Sequence, residues 1–380
     1  MNNGRGADRG MNILLIKFRN IGDVLLTGPL ASTLKMSHPA PRVSVLVKAG
    51  TEAMLQGHPH VDEVIVYPER APGESRLGYL RRVLTWLRAL RRRGFDLAIN
   101  TTEGDRGAII ARLCGARRRI GIIKPDGDKG WRRALYTDTH TPPPGRRHTV
   151  IRNLALAPDP QSPRDRSVHL TFSEHDRDQV KTLLAAQGWD GVAPLVHVHP
   201  TSRWFFKCWN DGDVARVIDH LQLERGLRVA LTSGPAPRER DKAAAIIRLC
   251  RRAPIDLSAR LSLKQTAALS SLCTLFFGVD TAPMHMAAAL DVPVVAVFGP
   301  SGAFDWGPWP NGWQGADTPY PAQNGVQRAG PHTVVQKAWR CVPCGRDGCA
   351  GTKRSACLEI LTADQVIPWL DQTLRERGLL

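Results

Sequence analysis

Short apolar runs, each followed by a helical stretch, recur through nearly the whole of this 380-residue chain. Residues 12–17, 43–47, 64–67, 96–100 and 120–123 read as strands, being too short for buried helices. Residues 23–35, 77–93 and 106–114 carry helical patterns between them. A second series of strands runs over 195–199, 228–232, 255–257, 275–278 and 292–298, with helices at 213–223, 239–251 and 263–272. Pro158-Asp-Pro-Gln-Ser-Pro163 separates the two series and reads as a loop. Alternating β and α elements call for parallel sheets covered on both faces, with ligand at the carboxyl edges of the strands. The expected fold class is therefore α/β, with two doubly wound Rossmann-like domains facing a central cleft. A polar tail at 1–10 precedes domains at 11–165 and 166–360. A C-terminal helix within 361–380 has a place open to it on the first domain.

Composition narrows the partners. The hydrophobic fraction of 42% is globular, and no apolar run approaches the roughly 20 residues of a membrane-spanning helix. Residues 1–10 lack the apolar centre of a signal peptide. Cys114, Cys208, Cys250 and Cys273 are scattered through different elements, a pattern that suits a reducing cytoplasm better than a disulfide framework. A net charge of +17 favours an anionic partner, although arginine serving solubility alone is the plain alternative. No finger spacing or aromatic RNP-type motif accompanies the charge, so a specific nucleic-acid partner is not expected.

The first βα turn, Phe18-Arg-Asn-Ile-Gly-Asp23, has no G-x-G-x-x-G, and no P-loop occurs anywhere, which argues against a redox dinucleotide and a P-loop nucleotidase. Asp-x-Asp pairs at Asp126/Asp128, Asp176/Asp178 and Asp211/Asp213 lie near loops and helix starts, where aspartate commonly caps, so no metal is assigned to them. More telling is Gly278-Val-Asp-Thr-Ala-Pro-Met-His285. Here a strand leads into a helix capped by Asp280 or Thr281, with Pro283 in its first turn. Such a helix start presents free N–H groups and a positive dipole end to an anion, and His285 adds a ring donor. From these residues alone, an ordinary βαβ unit explains the pattern equally well.

Three further segments join it: Lys17-Phe-Arg-Asn-Ile-Gly-Asp-Val-Leu-Leu-Thr-Gly-Pro29, His199-Pro-Thr-Ser-Arg-Trp-Phe-Phe-Lys-Cys-Trp209 and Leu231-Thr-Ser-Gly-Pro235. In this order they resemble the bacterial lipopolysaccharide heptosyltransferases, glycosyltransferase family 9, over about residues 11–370. The Phe-Lys-Cys-Trp stretch is most similar to the heptosyltransferase III branch. The resemblance implies a GT-B architecture with an amino-terminal acceptor domain and a carboxyl-terminal ADP-sugar domain. It implies inverting transfer of heptose from ADP-heptose to the phosphorylated inner core of lipopolysaccharide, with no cofactor required. It also implies that Asp23 is the general base; the plain alternative is a helix-capping aspartate. Lys207 would hold the diphosphate, with Arg203 a rival for that role. Thr201, Ser202, Asp280, Thr281, Ala282 and His285 would contact phosphate and nearby sugar oxygens.

Two features stand apart. Cys341, Cys344, Cys349 and Cys357 have C-x₂-C-x₄-C-x₇-C spacing, of which only the first pair resembles a zinc knuckle; structural zinc, packed thiols and a disulfide all stay open. Residues 77–93 place Leu77, Leu80, Leu84, Leu87 and Leu90 at helical spacings among many arginines. Arg88, Arg91, Arg92 and Arg93 are candidates for contact with phosphorylated core sugars or an anionic inner-membrane surface, making the protein cytoplasmic and peripheral on that membrane. The alternative is a leucine stripe packed on the sheet with solvated arginines. A noncatalytic anionic-lipid or nucleic-acid binder on the same fold, or a family member using another nucleotide sugar, are the competing functions.

Overall fold

The computed structural model describes residues 10–37, 39–123, 130–142, 145–159 and 164–380. Asp126 and Asp128, most of the 1–10 tail, and residues 160–163 of the Pro-rich loop lie outside the described residues. The chain divides into two compact units. The first runs to Gly145 and resumes over Thr149–His169; the second holds Arg146–His148 and Leu170–Leu380.

In the first unit, β1 (Asn12–Lys17), β2 (Arg42–Lys48), β3 (Glu63–Tyr67), β4 (Leu97–Asn100), β5 (Arg118–Ile122) and β6 (Asp138–His140) form one parallel sheet in the order β3-β2-β1-β4-β5-β6. The order reverses at β1, the central strand, all six of whose residues are buried. Ile13, Leu14, Leu15 and Ile16 are wholly covered because helices pack on both faces, which is why β1 reads as an unbroken apolar run rather than an alternating one. The β1 carboxyl edge, where the strand order reverses, is the position at which doubly wound sheets take ligands.

The second unit repeats the plan with β7 (Leu195–His199), β8 (Arg228–Leu231), β9 (Ile255–Asp256), β10 (Leu275–Val279), β11 (Val294–Phe298), β12 (Gln327–Ala329) and β13 (His332–Gln336). Their order is β12-β13-β11-β10-β7-β8-β9, and only the β12–β13 pair is antiparallel. A Cβ on Gly278 would stand 2.5 Å from the His199 carbonyl oxygen, so glycine is what permits β10 to lie this close to β7.

Two expectations change. The helix expected at 23–35 is two helices, Ile21–Leu25 and Gly28–Met36, because Gly28-Pro29 restarts the chain after Leu26 and Thr27. The C-terminal helix Ala363–Glu376 packs within the second unit, burying Val366, Leu370 and Leu374 in the core that contains β7, β8 and β10 side chains. Its hydrophobic stripe, together with the Asp371 carboxylate bonded to His220 and Arg225, fixes it there.

Candidate active site

In the first unit the β1 carboxyl edge delivers Lys17 and, one turn on, Asp23. Asp23 is the third residue of the helix Ile21–Leu25, not its cap: its Oδ2 accepts from the Asn20 N–H at 3.3 Å. Oδ1 lies 4.0 Å from Lys17 Nζ and 3.7 Å from Arg19 Nε, so a buried carboxylate sits between two cations. Lys17 is itself buried and donates to the Thr101 carbonyl at 3.3 Å. Burial pushes its pKa down to about 8 against the opposing attraction of Asp23. Between that value and 10.5 the unfolded chain holds a proton that the folded chain has released, so stability conferred at this position rises with pH through that window. Wild-type protein is therefore expected to gain stability relative to Lys17→Met as pH rises from 8, by up to about 1.4 kcal/mol per pH unit. Denaturant melts in steps of pH check this, and a pH-independent difference would contradict it.

In the second unit the helix Ala282–Ala289 starts at the carboxyl end of β10, with Thr281 as its cap and Pro283 in the first turn. Thr281 and Ala282 are half-buried and His285 is buried one turn in. Lys207 Nζ donates to Asp280 Oδ2 at 2.6 Å. Burial tends to raise the Asp280 pKa, but the charge and hydrogen bond of Lys207, a hydrogen bond from Ser301 and the nearby His285 hold it below the usual value. Asp280 thus stays ionised and aims the lysine at the helix start. Arg203 is exposed and stacks on the Trp204 ring at 4.8 Å, so the loop brings Lys207, not Arg203, to Asp280.

The bulky residues around Lys207 explain its placement. Phe206 is buried, and its carbonyl accepts from the Ser355 hydroxyl at 2.6 Å. Trp209 is buried two residues beyond the lysine and donates from Nε1 to the Leu361 carbonyl at 2.8 Å. A tight turn, closed by Lys207 N to Trp204 O at 2.8 Å, contains Phe206 and ends on the lysine. The C-terminal segment therefore braces the lysine loop.

Thr201 and Ser202 follow β7 and are buried. The Thr201 hydroxyl donates to Glu239 Oε1 at 3.2 Å and accepts from Gly234 N at 3.3 Å, while Ser202 Oγ accepts from Trp204 N. Below them Thr232 Oγ1 lies 2.7 Å from His197 Nε2 and 2.8 Å from His199 Nδ1. Burial pushes His199 down to about 4 and His197 well below its ordinary value, so both rings are neutral at pH 7. Sequence reasoning missed Lys17, Glu239 and Ser301. Only Lys17 left a signal, a cation at the end of an otherwise apolar strand.

The chain matches the family model for glycosyltransferase family 9 (heptosyltransferase) over residues 83–328. It is 33% identical over 291 residues to lipopolysaccharide heptosyltransferase 3 of Escherichia coli K12, covering 76% of this chain and 82% of that one. The chain belongs to glycosyltransferase family 9. Its resemblance to the heptosyltransferase III branch, expected from the Phe-Lys-Cys-Trp stretch, agrees with that relative. The family 9 glycosyltransferase from Veillonella parvula superposes with a TM-score of 0.78 at 20% identity, covering 96% of this chain and 98% of that structure. The E. coli ADP-heptose lps heptosyltransferase II does so at 0.71 and 20%, covering 97% and 100%. The α/β, Rossmann-like GT-B fold class follows, and the protein is a glycosyltransferase enzyme rather than a noncatalytic binder.

The four C-terminal cysteines stand near one another in the second unit. Cys341, Cys344 and Cys349 are exposed, and Cys357 is buried. Burial first, then the neighbouring Cys349, Cys344 and Cys341, push the Cys357 thiol up to about 11.

Proposed function

We propose that this family 9 enzyme transfers heptose from ADP-heptose to the phosphorylated inner core of lipopolysaccharide, with inversion. The observation that carries this reading is the Lys207–Asp280 pair at the start of the helix Ala282–Ala289. A cation, a helix N-terminus and His285 together suit a diphosphate. The relatives named for lipopolysaccharide and ADP-heptose support the choice of acceptor and donor. The acceptor hydroxyl oxygen attacks the anomeric carbon, and the bond from that carbon to the diphosphate oxygen breaks. ADP leaves with the electron pair, and Asp23 takes the hydroxyl proton. Lys207, His285 and the N–H groups at Thr281 and Ala282 stabilise the charge that builds on the departing diphosphate, with Thr201 and Ser202 beside them. In this scheme the first unit binds acceptor and the second binds donor. ADP should be released from ADP-heptose only when core acceptor is added. Release with another nucleotide sugar and not with ADP-heptose would favour the rival donor.

We further infer that the enzyme rests on the anionic inner face of the inner membrane through the helix Arg76–Arg92. No helix among the described residues is long and apolar enough to cross a membrane. The leucine stripe does not all pack inward: Leu77, Leu80 and Leu84 are 58%, 52% and 43% exposed, whereas Leu87 and the buried Leu90 pack on the core. Exposed leucines flanked by exposed Arg81, Arg88, Arg91 and Arg92 suit an anionic bilayer surface. Arg93 is committed to Glu63, which removes it from the group expected to act. At about 1 kcal/mol for each charge near the surface, Arg88→Gln, Arg91→Gln and Arg92→Gln together should weaken binding to anionic vesicles roughly 100-fold. Activity on a lipid-free acceptor should persist; unchanged vesicle sedimentation in moderate salt would refute the assignment.

A further inference from the structure

His60, Asp165 and His169, none of them assigned a role above, meet in the first unit. His60 precedes β3, whereas Asp165 and His169 lie four residues apart on the segment, neither helix nor strand, that ends the first unit; Leu170 already belongs to the second. His169 Nε2 is 3.0 Å from Asp165 Oδ2, His60 Nδ1 is 4.0 Å from the same oxygen, and all three ligand atoms lie within 4.8 Å of one another. We propose that these three side chains bind a first-row transition-metal ion such as zinc, which clips the crossing segment to the first unit.

Two imidazole nitrogens and one carboxylate form a donor set suited to zinc, nickel, cobalt or iron(II) rather than to magnesium or calcium. Ligand atoms around such an ion stand about 3 to 3.5 Å apart, so the His169–Asp165 pair is already at ligand spacing, whereas His60 has about half an ångström to close on Asp165 and up to about 1.5 Å on His169. Surrounding groups orient the ligands as those of metal sites do. The Ser167 N–H donates to Asp165 Oδ1 at 2.9 Å. Ser32, wholly buried on the helix Gly28–Met36, lies 2.9 Å from His60 Nδ1 and also hydrogen-bonds Asp165. When an ion takes the Nδ1 lone pair, the Ser32 hydroxyl keeps Asp165 as its acceptor, so no polar group is stranded. The His58 ring stands edge-on to those of His60 and His169, at 6.0 and 5.5 Å between centroids, and its Nδ1 accepts from the His60 N–H at 3.1 Å. The ligands are partly exposed, which gives an ion a route of entry and leaves further coordination positions to water.

The test is titration of chelator-treated, full-length protein with zinc by calorimetry and with cobalt(II) by visible absorption. A Cys341→Ser/Cys344→Ser/Cys349→Ser background keeps the exposed thiols out of the result. One equivalent should bind, giving cobalt ligand-field bands without thiolate charge transfer. His169→Ala and Asp165→Asn should each weaken binding roughly tenfold or more, and His175→Ala, exposed on the neighbouring helix, should leave it unchanged. Circular dichroism checks the fold, and His60→Gln supplies a milder third substitution. Absence of stoichiometric binding, or equal binding by all the folded variants, would overturn the proposal. The heptosyl-transfer reading is not touched by either result, because ADP release from ADP-heptose is measured separately.

Discussion

Asp23→Ala should lower turnover at least roughly 100-fold while leaving ADP affinity close to wild type. A positioned general base contributes about 10² to 10⁴ in rate, and its loss falls on proton transfer rather than on diphosphate binding. The geometry sharpens the expectation. The carboxylate is buried between Lys17 and Arg19 and tethered by the Asn20 N–H, so it is held in one orientation. Removing it leaves Lys17 buried without its counter-charge, and part of any activity loss would then be a folding defect. Asp23→Asn, nearly the same shape, addresses this: a soluble, folded Asn variant with equally low turnover assigns the loss to the missing base. If Asp23→Asn retains turnover within a few-fold of wild type, Asp23 serves only to hold the Asn20 N–H and another group takes the proton.

Lys207→Ala should weaken ADP binding about 10- to 100-fold, the range for a charge-assisted contact. His285→Ala should have a smaller effect in the same direction. The lysine variant carries an added cost, because Asp280 would be left as a buried carboxylate facing the incoming anion. Lys207→Ala/Asp280→Asn separates the two effects. It should recover melting temperature without recovering ADP affinity to the wild-type value. Calorimetry showing unchanged ADP affinity in both Lys207→Ala and His285→Ala would remove the diphosphate from this helix start.

Much of this molecule was readable because its strands are buried on both faces. Residues 12–17 and 275–278 are nearly uninterrupted apolar runs, and runs of that length cannot be much else. β6 and the β12–β13 hairpin escaped for the opposite reason: they are short, at or next to sheet edges, and carry polar residues such as Asp138, His140 and Gln327. The helix break at Leu26 was written in Gly28-Pro29 but masked by the apolar residues on either side. Among site residues, Asp23, Lys207, Asp280 and His285 belong to local motifs. Glu239 reaches Thr201 across 38 residues of sequence, and the Ser301 contact with Asp280 depends on the turn after β11; neither pairing has a local pattern to betray it. The leucines of 77–93 show a third limit. Helical periodicity marks an apolar face but does not say how much of that face the fold will cover.

The division of the chain has a consequence for anyone who wishes to take the protein apart. Because Arg146–His148 belongs to the second unit while Thr149–His169 returns to the first, the polypeptide passes between the units three times, not once. His148 is wholly buried, bonded to the Gly307 carbonyl at 2.9 Å and stacked 4.8 Å from Trp309. A fragment ending at 165 would carry this histidine away from its site, and one beginning at 166 would leave that site without it. Dissection at the Pro-rich loop thus yields two incomplete halves: the first loses residues 166–169, and the second loses 146–148. Complementation of halves, circular permutation and domain exchange among relatives all have to respect this three-residue loan.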